Sequence, residues 1–158
     1  MNLNSNEQAR RSLFFDVNVD SEDAAVAPSD PDPTGQSRPA GLAEYFAGRN
    51  ERRVMVSNPD TDGMSLTIFK FAPGTLLPRH RHDVDYIEFI LDGEVHHGNR
   101  VLKAGEGVFR SAGSLYTFWA GPQGTTIADF RAHTFYRTEY ADPPDQWPPH
   151  KTFTDEPC

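Results

Sequence analysis

Cysteine is almost missing from this chain. The single one, Cys158, is the last residue, so no internal disulfide can form, and no CxxC or Cys/His spacing exists to hold a metal. A reducing, cytoplasmic setting is therefore expected, and a catalytic thiol is not. Basic residues are scarce as well: 15 Lys and Arg against 23 Asp and Glu give a formal charge of −8 and a pI near 5.1. Nucleic acids and anionic membranes reward clustered Lys and Arg, so neither is expected as a partner. No apolar run approaches the length of a membrane span. No internal repeat is present, and there is no GxGxxG, Walker loop, nucleophile elbow or Ser/His/Asp order, which removes support for nucleotide-dependent and triad-hydrolase chemistry. Arg10 and Arg11 stand before Ser12, Leu13, Phe14 and Phe15, but Asp16, Asp20, Glu22 and Asp23 break the apolar stretch that a twin-arginine export signal needs. No targeting segment is expected.

What is present is enough for one domain with polar flanks. The chain has 158 residues and 13 prolines, with a mean hydropathy of −0.62, which suits a single core plus tails. Residues 1–40 read as an arm or linker: SLFFDVNV could dock as a short strand, but 20–39 is too rich in Asp, Pro, Ser and Gly to fold alone. Residues 41–140 read as the domain. They open with LAEYFAG (42–48), whose spacing allows a helical turn or two, and continue as short apolar runs punctuated by Gly, Pro, Asn and Asp. Strands are expected at RVMVS, SLTIFKFA, LPRHRH, DYIEFIL, EVHH, RVLK, GVFRS, LYTFWA and TTIADFR, with turns at 58–63, Asp92–Gly93 and 97–100. SLTIFKFA is apolar on both faces, as a strand between a lumen and a second layer would be. The tail, 141–158, carries prolines that cannot donate to a ladder and should wrap the outside, anchored by Trp147 and Phe153.

The segment from Phe71 to Val95 concentrates the chemistry. His80 and His82 are two apart on an expected strand, so they share a face, ~7 Å apart along the chain, and both imidazoles could reach one ion. Continuing the alternation, Tyr86, Glu88 and Ile90 join that inward face, while Asp85, Ile87 and Phe89 face away. Glu88 is thus a buried carboxylate. It could complete a metal site, act as a base, or simply pair with an arginine such as Arg110 on a neighbouring strand. His96 and His97 border a turn and are expected at the rim or surface. His133 could fold over the barrel mouth, and His150 sits among tail prolines.

These residues resemble the two motifs of the cupin superfamily. In the first, a glycine, five residues, HxH, three or four residues, a glutamate, six residues and a glycine, the chain supplies Gly74, His80, His82 and Gly93, with Tyr86 where the glutamate stands. AGEGVFRSAGSLY is similar to the second, pGDxxxxPxGxxH: Gly105, Glu106 and Gly113 match, Ser111 replaces the proline and Tyr116 replaces the last histidine. The motifs cover 73–116, and flanking strands extend the likeness to about Arg131. The resemblance implies an all-β double-stranded β-helix, or jelly-roll barrel, and a homodimer. It also implies a divalent transition metal, Fe(II) first, with Mn, Ni or Zn suiting the same ligands, held by His80 and His82; Glu88, which the alternation turns inward two residues beyond the family's glutamate position, ~7 Å along the strand, is the third ligand by its longer reach or a local bulge. Tyr86 and Tyr116 are then pocket-lining residues, acid/base groups or phenolate ligands.

Two functions follow as expectations. One is a mononuclear-metal enzyme acting on a small oxygen-rich or dicarbonyl-like molecule, a dioxygenase or lyase, with Glu88, Tyr86 and Tyr116 as its catalytic groups. The other is a non-catalytic ligand-binding or sensor protein in which the two tyrosine replacements have weakened or abolished the metal site.

Overall fold

The computed structural model describes residues 39–57 and 60–153. The SLFFDVNV stretch and Cys158 lie outside the described residues. Among the described residues, one helical turn, α1 (Leu42–Tyr45), precedes eight strands: β1 (Asn50–Val56), β2 (Ser65–Phe71), β3 (Leu76–His82), β4 (Tyr86–His97), β5 (Arg100–Lys103), β6 (Gly107–Arg110), β7 (Tyr116–Arg131) and β8 (Thr138–Tyr140). All pairings are antiparallel, and they form a single sheet with β7 as its spine. The end of β7 pairs with β2 and β4, and its start pairs with β3 and β4. β8 extends the sheet beyond β3.

Alternation along the strands decides what is buried. On β3, Leu76, Pro78, His80 and His82 are buried while Arg79 and Arg81 are exposed. On β4, Tyr86, Glu88 and Ile90 are buried, whereas Ile87 and Phe89 are 49% and 38% exposed. The period-two reading holds within each strand and places both histidines, Tyr86 and Glu88 on the inner face, but the histidines and Glu88 are not on one strand: the chain bends at 83–85 between β3 and β4. β2 is buried on both faces, as expected, because it lies between two apolar clusters. Phe71, Ile90, Val95, Leu102, Phe118, Ala120 and Ile127 form the inner one, and Met55, Leu66, Ile68 and Ala128 form the outer one. Apolar burial of this kind is the main stabilising contribution to a domain.

One expected turn is not a turn, and two strands expected to be separate are one. DYIEFIL and EVHH are one strand, and Asp92–Gly93 is a bulged stretch within it, with register shifts on either side. LYTFWA and TTIADFR are likewise one strand, running through Gly121–Gly124. The two irregular stretches face each other. Gly93 has φ +71°, and a β-carbon there would stand 2.2 Å from the Gly124 carbonyl oxygen. A glycine with a positive φ therefore signals close backbone approach here rather than chain reversal.

The tail packs against the start of the domain. Trp147 is buried and meets the rings of Tyr45 and Tyr140, each at 4.9 Å. Tyr45 donates its hydroxyl to the Pro148 carbonyl at 2.9 Å. Lys151 N–H bonds to the Gly74 carbonyl at 2.9 Å, and a β-carbon on Gly74 would meet the Lys151 oxygen at 2.0 Å. Phe153, expected as a second anchor, is 44% exposed. No helix among the described residues is long and apolar enough to cross a membrane.

Candidate active site

The inner face ends in a cavity of about 1350 Å³ whose wall includes His80, His82, Glu88, Tyr116, Asp129 and Arg131, and whose mouth is bordered by 39–44 and the segment after β8. The register explains the assembly. His80 is opposite Tyr116 on one side and Tyr140 on the other, Glu88 is opposite Asp129, and Tyr86 is opposite Arg131. Cross-strand neighbours on one face come within side-chain reach, so four strands deliver their polar residues to one space.

The two histidines are buried and fixed at one nitrogen each. His80 Nδ1 donates to the Pro78 carbonyl at 2.8 Å. His82 Nδ1 lies 3.3 Å from the Arg137 carbonyl and 3.1 Å from the Thr138 hydroxyl. A carbonyl only accepts, so both rings carry their proton on Nδ1 and leave the Nε2 lone pair open. The ring centroids are 5.0 Å apart. Burial lowers the His80 pKa to about 4. Burial and the Arg131 charge lower that of His82 to about 2. Both are therefore neutral at physiological pH, the form that ligates a metal.

Glu88 is occupied elsewhere. Its Oε2 is 3.5 Å from Arg110 Nε, while its buried Oε1, 3.4 Å from His97 Nε2, makes no hydrogen bond. Burial opposes its charge, but His97 and the Arg110 guanidinium outweigh burial and hold its pKa below the usual carboxylate value. Among the described residues no group of three or more His, Cys, Asp and Glu is placed to hold a metal ion. The two histidines and Glu88 expected from the sequence are not such a group; the Glu88 carboxylate faces the Arg110 guanidinium. The ion pair that competed with that expectation is what forms. His97, expected at the rim, is part of this network: its Nδ1 lies 3.1 Å from the Thr117 carbonyl and its Nε2 lies 2.9 Å from Arg110 Nη2. The Arg110 guanidinium also lies 3.6 Å over the Tyr116 ring.

Tyr116 lines the cavity and Tyr86 packs behind it, with ring centroids 6.3 Å apart. Burial raises the pKa of both, so each keeps its proton. The Tyr86 hydroxyl is buried without a hydrogen-bond partner. Two further residues, Asp129 and Arg131, belong to the site and carry no motif; the alternation in IADFR could have pointed to them. Arg131 Nη2 donates to Asp129 Oδ2 at 2.8 Å. Burial outweighs Arg131 and pushes the Asp129 carboxyl up to about 6, whereas Asp129 outweighs burial and raises Arg131.

The other histidines are remote from this chemistry. His96 pairs with Glu94, and His133 pairs with Asp62 at the surface instead of covering the mouth. His150 staples the tail, accepting from Leu76 N–H through Nδ1 and donating to the Tyr45 carbonyl through Nε2.

No family model and no curated protein matches the sequence. Solved structures do. The chain is similar to the polyketide cyclase RemF from Streptomyces resistomycificus, with 19% identity over 60% of this chain and 72% of that one and a TM-score of 0.52. It is similar to an RmlC-like cupin protein from Ralstonia eutropha JMP134, with 20% identity, 61% and 62% coverage and a TM-score of 0.52. It is also similar to the DMSP lyase DddQ from Ruegeria pomeroyi DSS-3, with 18% identity, 69% and 58% coverage and a TM-score of 0.54. The chain has the cupin fold, a double-stranded β-helix, as its motifs implied.

Proposed function

We propose that this protein is a metal-dependent enzyme of the cupin fold acting on a small oxygen-rich or dicarbonyl-like molecule, of dioxygenase or lyase type. The observation that carries it is the pair of buried, neutral imidazoles, each anchored through Nδ1 with its Nε2 lone pair unengaged in the cavity wall. Anchoring of the remote ring nitrogen is how proteins orient a metal-ligating histidine. The two histidines fit a divalent transition metal; Glu88, bound to Arg110, does not add to them. Such an ion would act as a Lewis acid toward a bound oxygen, and positions not taken by protein would be open to substrate.

The chain's own groups do the rest. Tyr86 and Tyr116, held protonated, orient an oxygen by donating to it. Glu88 stays ionised and fixes Arg110 and His97. Asp129, with its pKa near neutrality, is the better proton carrier, since a general base works best when its pKa lies close to the working pH. The fold likeness to a cyclase and a lyase supports an enzymatic use of this cavity.

One set of observations favours the non-catalytic reading: the Arg131 guanidinium lines the cavity, the Arg110 guanidinium lies beside Glu88, and among the described residues no group of three or more His, Cys, Asp and Glu is placed to hold a metal. Elemental analysis of purified protein separates the two. Near-stoichiometric transition metal that is lost on His82→Ala is expected for the enzyme, and no metal under any loading condition would leave only the binding protein.

A further inference from the structure

Arg131 is the least satisfied polar side chain of the lumen. It is 3% exposed, and only one of its three nitrogens is used: Nη2 donates to Asp129 Oδ2 at 2.8 Å, while Nε and Nη1 have no partner. The rings of Tyr136 and Tyr86 lie against it, 4.1 and 4.9 Å from the guanidinium carbon. Aromatic faces hold the guanidinium but do not accept its in-plane N–H bonds. Buried donors without acceptors are costly and rare in folded proteins, and they point to a missing partner.

The shape of the guanidinium says what that partner is. Its donors form two forks, Nε with Nη2 and Nη1 with Nη2, and Nη2 has one hydrogen for each. Asp129 reaches Arg131 from two residues back along the same strand and takes one Nη2 hydrogen through one oxygen, leaving its Oδ1 unpaired. Whichever fork it touches, the other stays whole. A whole fork matches the two oxygens of a carboxylate. Tyr86, opposite Arg131 on β4, supplies a further unpartnered donor, its buried hydroxyl. Arg110 is different, since its guanidinium is already committed to Glu88, His97 and the Tyr116 ring.

We infer that Arg131 is the recognition group for an anionic substrate, a small carboxylate that takes the unpaired fork of the guanidinium with the Tyr86 hydroxyl as a third donor. This rests on the lumen being the substrate site and narrows an oxygen-rich molecule to a carboxylate anion. Arg131 and Tyr86 bind and orient; neither exchanges a proton with the substrate. The anion site is independent of the histidines, because its donors are present in the protein alone.

The test uses the full chain freed of metal with a chelator and titrated calorimetrically with acetate and malonate, and with acetamide and malonamide as uncharged matches. Binding of a carboxylate, with its amide at least about tenfold weaker, is expected. Arg131→Gln should abolish that difference. Arg131→Lys, which keeps the charge but loses the fork, should weaken binding less than Gln does. Tyr86→Phe, which removes one oxygen from a ring that otherwise stays in place, should weaken carboxylate binding while leaving the fold's circular dichroism unchanged; it serves if Arg131→Gln does not fold. Equal binding of acid and amide, no carboxylate binding at all, or wild-type affinity in both Arg131→Gln and Tyr86→Phe would overturn the inference. Carboxylate binding that appears only after metal loading and vanishes in His82→Ala would also overturn it, by placing the anion on the metal. Carboxylate binding to a protein that never loads metal would instead leave Arg131 in its role and remove the metal-dependent reading.

Discussion

Glu88 shows how one neighbour sets the role of a side chain. On sequence it was open to ligation, to base chemistry or to an ion pair, and the structure sets its 2% exposed carboxylate beside the Arg110 guanidinium. Removing one member of a buried pair leaves the other charge uncompensated, so Glu88→Gln should lower stability by about 3 kcal/mol in urea denaturation while metal content stays at the wild-type level. Loss of metal without loss of stability would return Glu88 to the metal site. The histidines make a second prediction. Their folded pKa values, about 4 and about 2, lie below the ordinary 6.5, so the folded chain binds fewer protons between those limits. Their contribution to stability is complete above pH 6.5 and is lost as the pH falls toward the folded values. Asp129 runs the opposite way, raised from 3.8 to about 6, so its contribution falls as the pH rises through that window. Two imidazoles outweigh one carboxyl, and metal-free protein should lose stability on acidification from neutrality. His82→Gln should flatten that slope in urea melts taken across the range; an unchanged slope would mean that the ring is already charged or solvated in the folded state.

At the scale of elements, the β4–β7 pairing carries the site, because it sets Tyr86 beside Arg131 and Glu88 beside Asp129. Its register depends on the place where Gly93 and Gly124 pass each other. Gly93→Ala adds a carbon 2.2 Å from a backbone oxygen at a left-handed φ of +71° and should cost well over the roughly 1–2 kcal/mol of the left-handed conformation alone. Gly98, at φ +55° in the β4–β5 turn, has open space where its β-carbon would go; Gly98→Ala should cost only that conformational amount, about 1 kcal/mol. Thermal melts of the two variants compare directly. Equal losses would show that the close approach at Gly93 relaxes freely. β8 acts on the site from outside: Arg137 binds Asp83 through its backbone N–H at 2.7 Å and its Nε at 3.0 Å, which sets the Arg137 carbonyl and Thr138 against His82.

At the scale of the molecule, the tail and α1 close over the start of the barrel and border the cavity mouth. Trp147 is the joint between them, buried against Tyr45 and Tyr140, with its indole N–H donated to the Asp142 carbonyl at 2.8 Å. Trp147→Ala should lower stability by about 3 kcal/mol, within the cost of emptying a buried aromatic site. It should also loosen the segment after β8, read as faster amide hydrogen exchange at 138–151 with little change at β4 and β7. Equal exchange throughout would show that the tail is held without Trp147.

The sequence by itself determined which faces are buried. Alternation along LPRHRH and DYIEFIL is a local property, since successive side chains point to opposite sides of any strand, and it placed His80, His82, Tyr86 and Glu88 inward. Gly74, Gly93, Gly105 and Gly113, spaced around the HxH pair, carried the likeness that gave the barrel. Tertiary structure decided the partners. Whether Asp92–Gly93 reverses the chain or lets β4 pass β7 depends on Gly124, thirty-one positions away, and a local pattern of turn residues is the same in both cases. Arg110 took Glu88 from the histidines, and Asp129 and Arg131 entered the lumen from a strand with no motif. These outcomes rest on register between distant strands and on the strength of charge pairing out of water, neither of which is a property of any short stretch of chain.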